Sequence, residues 1–191
     1  MPPLFFEKIR RADLDTILEQ MAGRKFDERI LVGIAARCPL GAPSVIFCRP
    51  LFKGKPFPTT FWLTCPHAVK ECDVLEAVGG VGHLETFLAR KRGEWREYGL
   101  WHSLIRLAFL SPVERRFLAS RRKSMWEDIR KGRVGGTRDT GQIRVKCLHL
   151  QTASWLSLGC HPGETWLGSR ISQLCPADSA YPCRKSKSPR R

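Results

Sequence analysis

The sequence predicts an α+β fold in which a small antiparallel sheet of about three strands packs against several helices. Three short apolar segments in the first third of the chain are joined by tight connections rich in proline and glycine, a pattern typical of an antiparallel meander. After Pro66 the apolar residues recur instead at the three-to-four-residue spacing of amphipathic helices. The 191 residues are 42% hydrophobic, which is enough to bury a core without disulfide bonds.

The segments before Pro66 predict one helix followed by the three strands. Residues 11–22 carry apolar side chains at helical spacing, and Gly23 provides a stop. The predicted strands, rich in β-branched and aromatic side chains, cover residues 29–36, 44–48 and 59–64. The turn at residues 38–43 is short enough to make the first two strands neighbours.

Helical patterns dominate from Pro66 onward. The predicted helices cover residues 66–78, 84–92, 95–110, 111–131, 142–158 and 164–174. Ser111 and Glu114 have the spacing of a capping box, with Pro112 in the first turn, so the start of the fourth helix is clearly marked. That helix should end at the glycine-rich loop of residues 132–141, which leads into the next one.

We expect a single α+β domain over residues 1–175 and a disordered basic tail over residues 176–191, which has few apolar residues and ends in Lys, Arg and Ser. The N-terminus lacks the basic-then-apolar pattern of a signal peptide. No segment approaches the ~20 apolar residues of a membrane span. The sequence therefore predicts a cytoplasmic protein, in which thiols stay reduced.

The eight cysteines in such a protein indicate metal binding, thiol chemistry or ordinary burial rather than disulfide bonds. No C-x-x-C or H-x3-H pair occurs, and the close pairs are Cys65 with His67, Cys147 with His149, and Cys160 with His161. Residues two apart in a helix point about 200° away from each other, so the second pair would not easily share an ion in mid-helix. Burial is the more common state of a free cysteine, and we expect it for Cys48 and Cys72.

The loop at residues 132–141 is rich in glycine and basic residues and leads into the segment that contains Cys147. Glycine loops before a helix direct backbone N–H groups outward and favour anions. The predicted anion-binding residues are Arg37, Arg138, Arg144 and Lys146. Neither a phosphate-loop nor a dinucleotide pattern is present, and an exposed, flexible connector is the alternative interpretation.

Cys147 is a candidate nucleophile if it lies near the start of its helix. A helix N-terminus and neighbouring cationic side chains lower the pKa of a thiol and raise its thiolate fraction. His149 or His67 would then carry the proton.

The net charge points to a polyanionic partner. The chain has 33 Lys and Arg against 18 Asp and Glu, a formal charge of +15, which attracts nucleic acid, anionic lipid or acidic proteins. Residues 90–139 hold 14 basic and 6 acidic side chains, with three tryptophans among them. This is typical of a nucleic-acid-binding surface, although a charged run on an amphipathic helix is more often its solvated face.

Four segments carry a resemblance to a known family: Arg37-Cys-Pro-Leu-Gly41, Pro56 to Pro66, Gly135-Gly136, and Arg144-Val-Lys-Cys-Leu-His149. They resemble the R-C-P-x-G, P-F-P-T-x-x-[WY]-L-T-[CH]-P, G-G and R-V-K-C-L-H motifs of a bacterial domain-of-unknown-function family, number 501. The resemblance covers residues 31–158. It implies no assigned activity, and some members carry a septum-formation label.

The resemblance implies a metal site. Cys38 and Cys147 match cysteines of the family motifs, His149 matches the motif histidine, and Cys65 matches a position that takes Cys or His. A metal ligand tolerates that exchange, whereas a buried apolar position does not. We therefore expect a site of Cys38, Cys65, Cys147 and either His149 or His67, with zinc or an iron–sulfur cluster as the cofactor.

Two hypotheses follow. In the first, the chain is a cytosolic bacterial protein with a Cys/His metal or thiol site beside a basic anion-binding loop; zinc with an open position would permit hydrolysis, and a filled shell would be structural. In the second, it is a non-enzymatic basic module that binds nucleic acid, the ribosome or a cell-division partner. Only the first predicts that replacing Cys147 releases a metal.

Overall fold

The computed structural model describes residues 6–173 and residue 175. Within these residues the chain forms eight α-helices, a three-stranded antiparallel sheet and a two-stranded hairpin, which confirms the predicted α+β fold. The predicted tail at residues 176–191 lies outside the described part. No helix in that part is both long and apolar enough to cross a bilayer.

The main sheet has its second strand at the centre. It consists of β1 (Leu31–Arg37), β2 (Pro43–Cys48) and β5 (Phe61–Leu63), in the order β1-β2-β5, while β3 (Leu51–Phe52) and β4 (Lys55–Pro56) form the hairpin. Every residue of β2 is buried. Because side chains alternate along a strand, Val45 and Phe47 enter the larger core cluster and Ile46 and Cys48 enter a second one.

The helices are α1 (Arg11–Gln20), α2 (Pro66–Ala77), α3 (Gly80–Leu88), α4 (Arg92–Ala108), α5 (Pro112–Arg121), α6 (Lys123–Lys131), α7 (Leu148–Leu158) and α8 (Glu164–Gly168). The single helix predicted over residues 111–131 was wrong, because it breaks into α5 and α6 at Arg122 (φ −137°, ψ 56°). A straight helix would hold Leu118 and Ile129 about 16 Å apart, whereas the break brings both into one cluster with Leu110. The capping box at Ser111 is present.

The helix predicted over residues 142–158 begins only at Leu148, so its predicted start was wrong. The segment before it is not helical, and carboxylates from other helices hold it. Glu85 of α3 accepts the Val145 N–H at 2.7 Å, and Glu76 of α2 accepts the Leu148 N–H at 2.5 Å. These contacts take the place of intrahelical hydrogen bonds.

Helices α2 and α7 run antiparallel. Near the middle, Cys72 Sγ lies 3.4 Å from Thr152 Oγ1. At one end, Glu76 meets Leu148 at the start of α7; at the other, Leu156 and Cys65 line the same small pocket. Each end of this helix pair therefore carries polar and sulfur-containing side chains.

A buried polar contact joins α4 to α7. Ser154 Oγ of α7 hydrogen-bonds with the Tyr98 hydroxyl and, at 2.6 Å, with His102 Nε2, both from α4. All three side chains are buried. Because an unpaired buried polar group destabilises the folded state, this contact fixes the rotation of α7 against α4.

Candidate functional site

Three possible metal ligands meet where α2 ends and α7 begins. One ligand atom each from Glu76, Cys147 and His149 lie within 4.8 Å of one another. Cys147 is the N-cap residue of α7, with extended backbone (φ −165°, ψ 158°), and His149 lies in the first turn. Because Cys147 is not helical, the divergence expected for two residues in mid-helix does not arise. We call this group the Glu-Cys-His cluster.

Glu76 is held in the cluster by the helix start. Its Oε1 accepts the Leu148 N–H and lies 3.1 Å from His149 Nδ1. The first N–H groups of a helix have no partner within the helix, and they attract negative charge. The fold therefore places an anionic oxygen beside the thiol and the imidazole.

His149 has a carboxylate on each side of its ring. Asp73, one turn before Glu76 on α2, has its Oδ1 3.2 Å from Nε2. When Nε2 donates to Asp73, Nδ1 presents its lone pair to the cluster, an arrangement that orients metal-bound histidines. The hydrogen bond with Cys147 and the charge of Glu76 raise the pKa of His149, against the lowering effect of burial.

Cys38 and Cys65 lie at the other end of the α2–α7 pair. Cys65 is the N-cap residue of α2 and Glu76 lies in its last turn, so their backbones are about 16 Å apart. His67 is in the first turn, also at that end. Among the described residues the only group of three or more candidate ligands is the Glu-Cys-His cluster, which contains neither Cys38 nor Cys65.

The structure confirms the predicted burial of Cys48 and Cys72. Burial raises the pKa of both thiols, that of Cys72 to about 12. A raised pKa favours the protonated thiol at neutral pH, which is a poor nucleophile.

A basic pocket of about 500 Å³ lies between α4 and the loop before α7. The charged residues that line it are Arg92, Arg96, Arg133, Arg138, Arg144 and Asp139. Two of the predicted anion-binding residues, Arg138 and Arg144, are among them. Lys146 lines an adjoining cavity of about 470 Å³, which shares Arg144 with the basic pocket.

Arg37 lies away from the basic pocket and has partners of its own. Its guanidinium donates to Asp13 at 2.8 Å, to Glu7 at 2.9 Å and to the Gly41 carbonyl at 3.0 Å. The hydrogen bond from Arg37 lowers the pKa of Asp13 to about 2. These contacts tie α1 to the end of β1.

Several residues of both sites were not identified from the sequence. Asp73 and Glu76 are three positions apart on α2, so their common face was readable, but acidic pairs on helices are usually solvated. In the basic pocket, Arg92, Trp95 and Arg96 share a face of α4 at helical spacing. That periodicity within the basic region was the available signal.

A family model described as a protein of unknown function, DUF501, matches residues 34–171. The match extends from β1 to α8 and includes both sites. No curated protein and no solved structure is significantly similar to the chain.

Proposed function

We propose, from the contacts of its own side chains, a function for this chain, which belongs to the DUF501 family of proteins of unknown function. It binds one zinc ion through Glu76, Cys147 and His149, beside a basic pocket that receives an anionic ligand. The observation that carries the proposal is that the three ligand atoms lie within 4.8 Å of one another.

The chemistry of the donors favours zinc. Thiolate, imidazole and carboxylate together suit Zn²⁺, whereas Mg²⁺ and Ca²⁺ prefer oxygen ligands alone. Iron–sulfur clusters require four cysteines, or two with two histidines, and the Glu-Cys-His cluster offers one thiolate. Asp73 supplies the second carboxylate, which holds the ring of His149.

Three protein ligands leave the fourth position of a tetrahedral ion open, as in catalytic zinc sites. Zinc held by Glu76, Cys147 and His149 would supply the activation of water for nucleophilic attack at neutral pH. Lys146 lines the adjoining cavity and directly precedes Cys147 in the chain, so an anionic substrate held by Lys146 would lie near the proposed ion. Hydrolysis of an anionic substrate is therefore the reaction class that we propose.

The proposal is tested by the metal content of the full chain, purified without chelator. We expect about one equivalent of zinc, lost in Cys147→Ser and retained in Cys160→Ser, which removes an exposed cysteine outside the cluster. A Cys38→Ser, Cys65→Ser double variant should also retain zinc. Zinc in Cys147→Ser, or none in the wild type after reconstitution, would contradict the proposal.

A second candidate function, thiol catalysis, rests on the contact between Cys147 and His149. His149 beside Cys147, with Asp73 on the other ring nitrogen, has the nucleophile–base–orienter order of cysteine hydrolases. If this function holds, metal-free protein should react with iodoacetamide at Cys147 faster than at Cys160. Asp73→Asn should slow that reaction, and equal rates at the two thiols would exclude this function.

A further inference from the structure

We infer that the basic pocket is a nucleotide site, with the aromatic base against Trp95 and the phosphates on Arg133, Arg138 and Arg144. The inference extends the anion-binding part of the proposed function and is independent of the zinc centre. A nucleotide combines the two chemistries that this pocket offers, an aromatic surface and a cluster of arginines.

The pocket has more positive charge than its own acidic residues neutralise. Arg138 pairs with Asp128 at 2.7 Å, while Arg96 and Arg133 share Asp139 at 3.8 and 3.5 Å. Arg92 and Arg144 have neutral partners in the described part of the chain: the Gly141 carbonyl at 3.1 Å and the Gln142 amide oxygen at 3.4 Å. Five guanidinium groups thus meet two carboxylates. A guanidinium group can donate two parallel hydrogen bonds to the oxygens of one phosphate.

One of the arginines that line the pocket, Arg133, is partly buried. The Arg133 side chain is 19% exposed, and its Nε has no hydrogen-bond partner in the described structure. Ser103 Oγ lies 3.4 Å from its Nη1. Burying a guanidinium without a full set of partners is unfavourable. The buried Nε leaves the positive charge of Arg133 only partly compensated, and this charge adds to the attraction of the pocket for an anion.

A second cation lies behind the first. Arg106 is 3% exposed, and its guanidinium donates to the backbone carbonyls of Gly132 and, at 2.7 Å, Arg133. It forms no ion pair within the described residues. Burial and the neighbouring Arg133 lower the pKa of Arg106 to about 10, so it is charged at neutral pH. Its field adds to the attraction for an anion.

The position of the Arg133 side chain depends on a glycine of α4. A side chain at Gly99 would place its Cβ 2.8 Å from Arg133 Cδ, closer than packing allows. The absence of a side chain at Gly99 therefore lets Arg133 lie against the helix and face the pocket.

Trp95 gives the pocket an aromatic surface. Its ring is half-buried, lines the pocket and packs on Tyr98 and His161, with centroids 6.4 and 6.1 Å away. Because these rings fix it from the core side, Trp95 can receive a base without a large loss of side-chain freedom. Base stacking on aromatic side chains is a general mode of nucleotide recognition.

The size of the pocket favours one nucleotide over a long strand. Its volume of about 500 Å³ falls in the range of small-ligand pockets, ~300–1,000 Å³. We therefore choose ATP as the probe. Sodium tripolyphosphate serves as the matched anion without a base.

The experiment is calorimetric titration of the full chain with each probe at fixed salt. We expect ATP to bind roughly tenfold more tightly than tripolyphosphate. Arg144→Ala should weaken both by roughly tenfold, whereas Arg116→Ala, an exposed arginine of α5 outside the pocket, should leave both unchanged. Trp95→Leu should remove the advantage of ATP, and Trp95→Phe should retain it. Circular dichroism checks that each variant is folded.

Each contrary outcome has a distinct meaning. Equal binding of ATP and tripolyphosphate would overturn the nucleotide inference and leave the proposed anion site standing. Binding of neither would overturn both, without touching the zinc centre, whose content is measured in the same samples. An RNA oligonucleotide that displaces ATP with an affinity rising with its length would overturn the single-nucleotide site in favour of a nucleic-acid track.

Discussion

Glu76 combines a structural contact with a position in the Glu-Cys-His cluster. Its carboxylate accepts the Leu148 N–H and lies beside His149. No sequence pattern distinguishes it from its neighbours on α2, because its particular role comes from a contact with a residue 72 positions later. By contrast, Cys147 and His149 carry a recognisable motif and were identified without the structure.

Replacing Glu76 by Gln tests its charge separately from its shape. The amide can still accept the Leu148 N–H, so we expect Glu76→Gln to lower the free energy of unfolding by only about 1 kcal/mol, because the negative charge at the helix start is removed. Zinc affinity should fall by at least ~10-fold. Urea denaturation and chelator competition measure the two quantities. Glu71→Gln on the same helix is the control, and an unchanged zinc affinity in Glu76→Gln would remove Glu76 from the site.

The ion pair of Asp13 with Arg37 predicts acid sensitivity. The pKa of Asp13 falls from its ordinary value of 3.8 to about 2 in the folded protein. The stabilisation of about 2 kcal/mol is therefore fully present well above pH 4 and is lost as the pH falls towards 2. In urea denaturation, Asp13→Asn should be less stable than the wild type at pH 6, with a smaller difference at pH 3. A constant difference would contradict this account; Asp15→Asn, an exposed carboxylate on α1, is the control.

Among the elements, α7 shows where sequence patterns mislead. The glycine-rich loop at residues 132–141, with possible capping residues at its end, favoured a start near residue 142. The backbone of residues 143–147 is instead not helical, and Glu85 and Glu76 accept the N–H groups of Val145 and Leu148. These carboxylates are 60 and 72 residues away in the chain, beyond the reach of local periodicity.

The contact between α4 and α7 predicts a large effect from a small change. Ser154→Ala removes the hydrogen-bond partner of the Tyr98 hydroxyl and of His102 Nε2, both buried. We expect the free energy of unfolding to fall by about 2–4 kcal/mol. Ser157→Ala removes a hydroxyl bonded only to the Ala153 carbonyl and should cost less. Thermal or urea denaturation measures the stability of both variants. Equal losses of stability would show that the hydrogen bonds of Ser154 do not hold the helices together.

At the scale of the whole molecule, the fold class and the three strands follow from composition and periodicity, since each strand was predicted to within two residues of its observed ends. The two sites do not follow in this way. The Glu-Cys-His cluster needs the antiparallel pairing of α2 and α7, and the basic pocket needs α4 against a loop some 45 residues later. Spatial assembly of this kind leaves no local pattern.

The charge of +15 predicts weak, salt-dependent binding to nucleic acid. The affinity for a single-stranded oligonucleotide should fall linearly with salt on a double-logarithmic plot. Replacing Arg121, Arg122 and Lys123 by Ala should reduce the slope by ~0.7 for each phosphate that these side chains neutralise in the wild type, measured by fluorescence anisotropy. Cys147→Ser should not alter it. If the triple variant has the same slope as the wild type, the nucleic acid binds another part of the surface.

The Leu148 N–H donates to Glu76 Oε1, a hydrogen bond that does not itself require an ion. Removal of the proposed zinc should therefore leave α7 capped and its first turn intact, so we expect that the centre can be emptied and refilled on a folded chain. With this property the proposed centre would report free zinc reversibly, and its occupancy would vary without unfolding the chain.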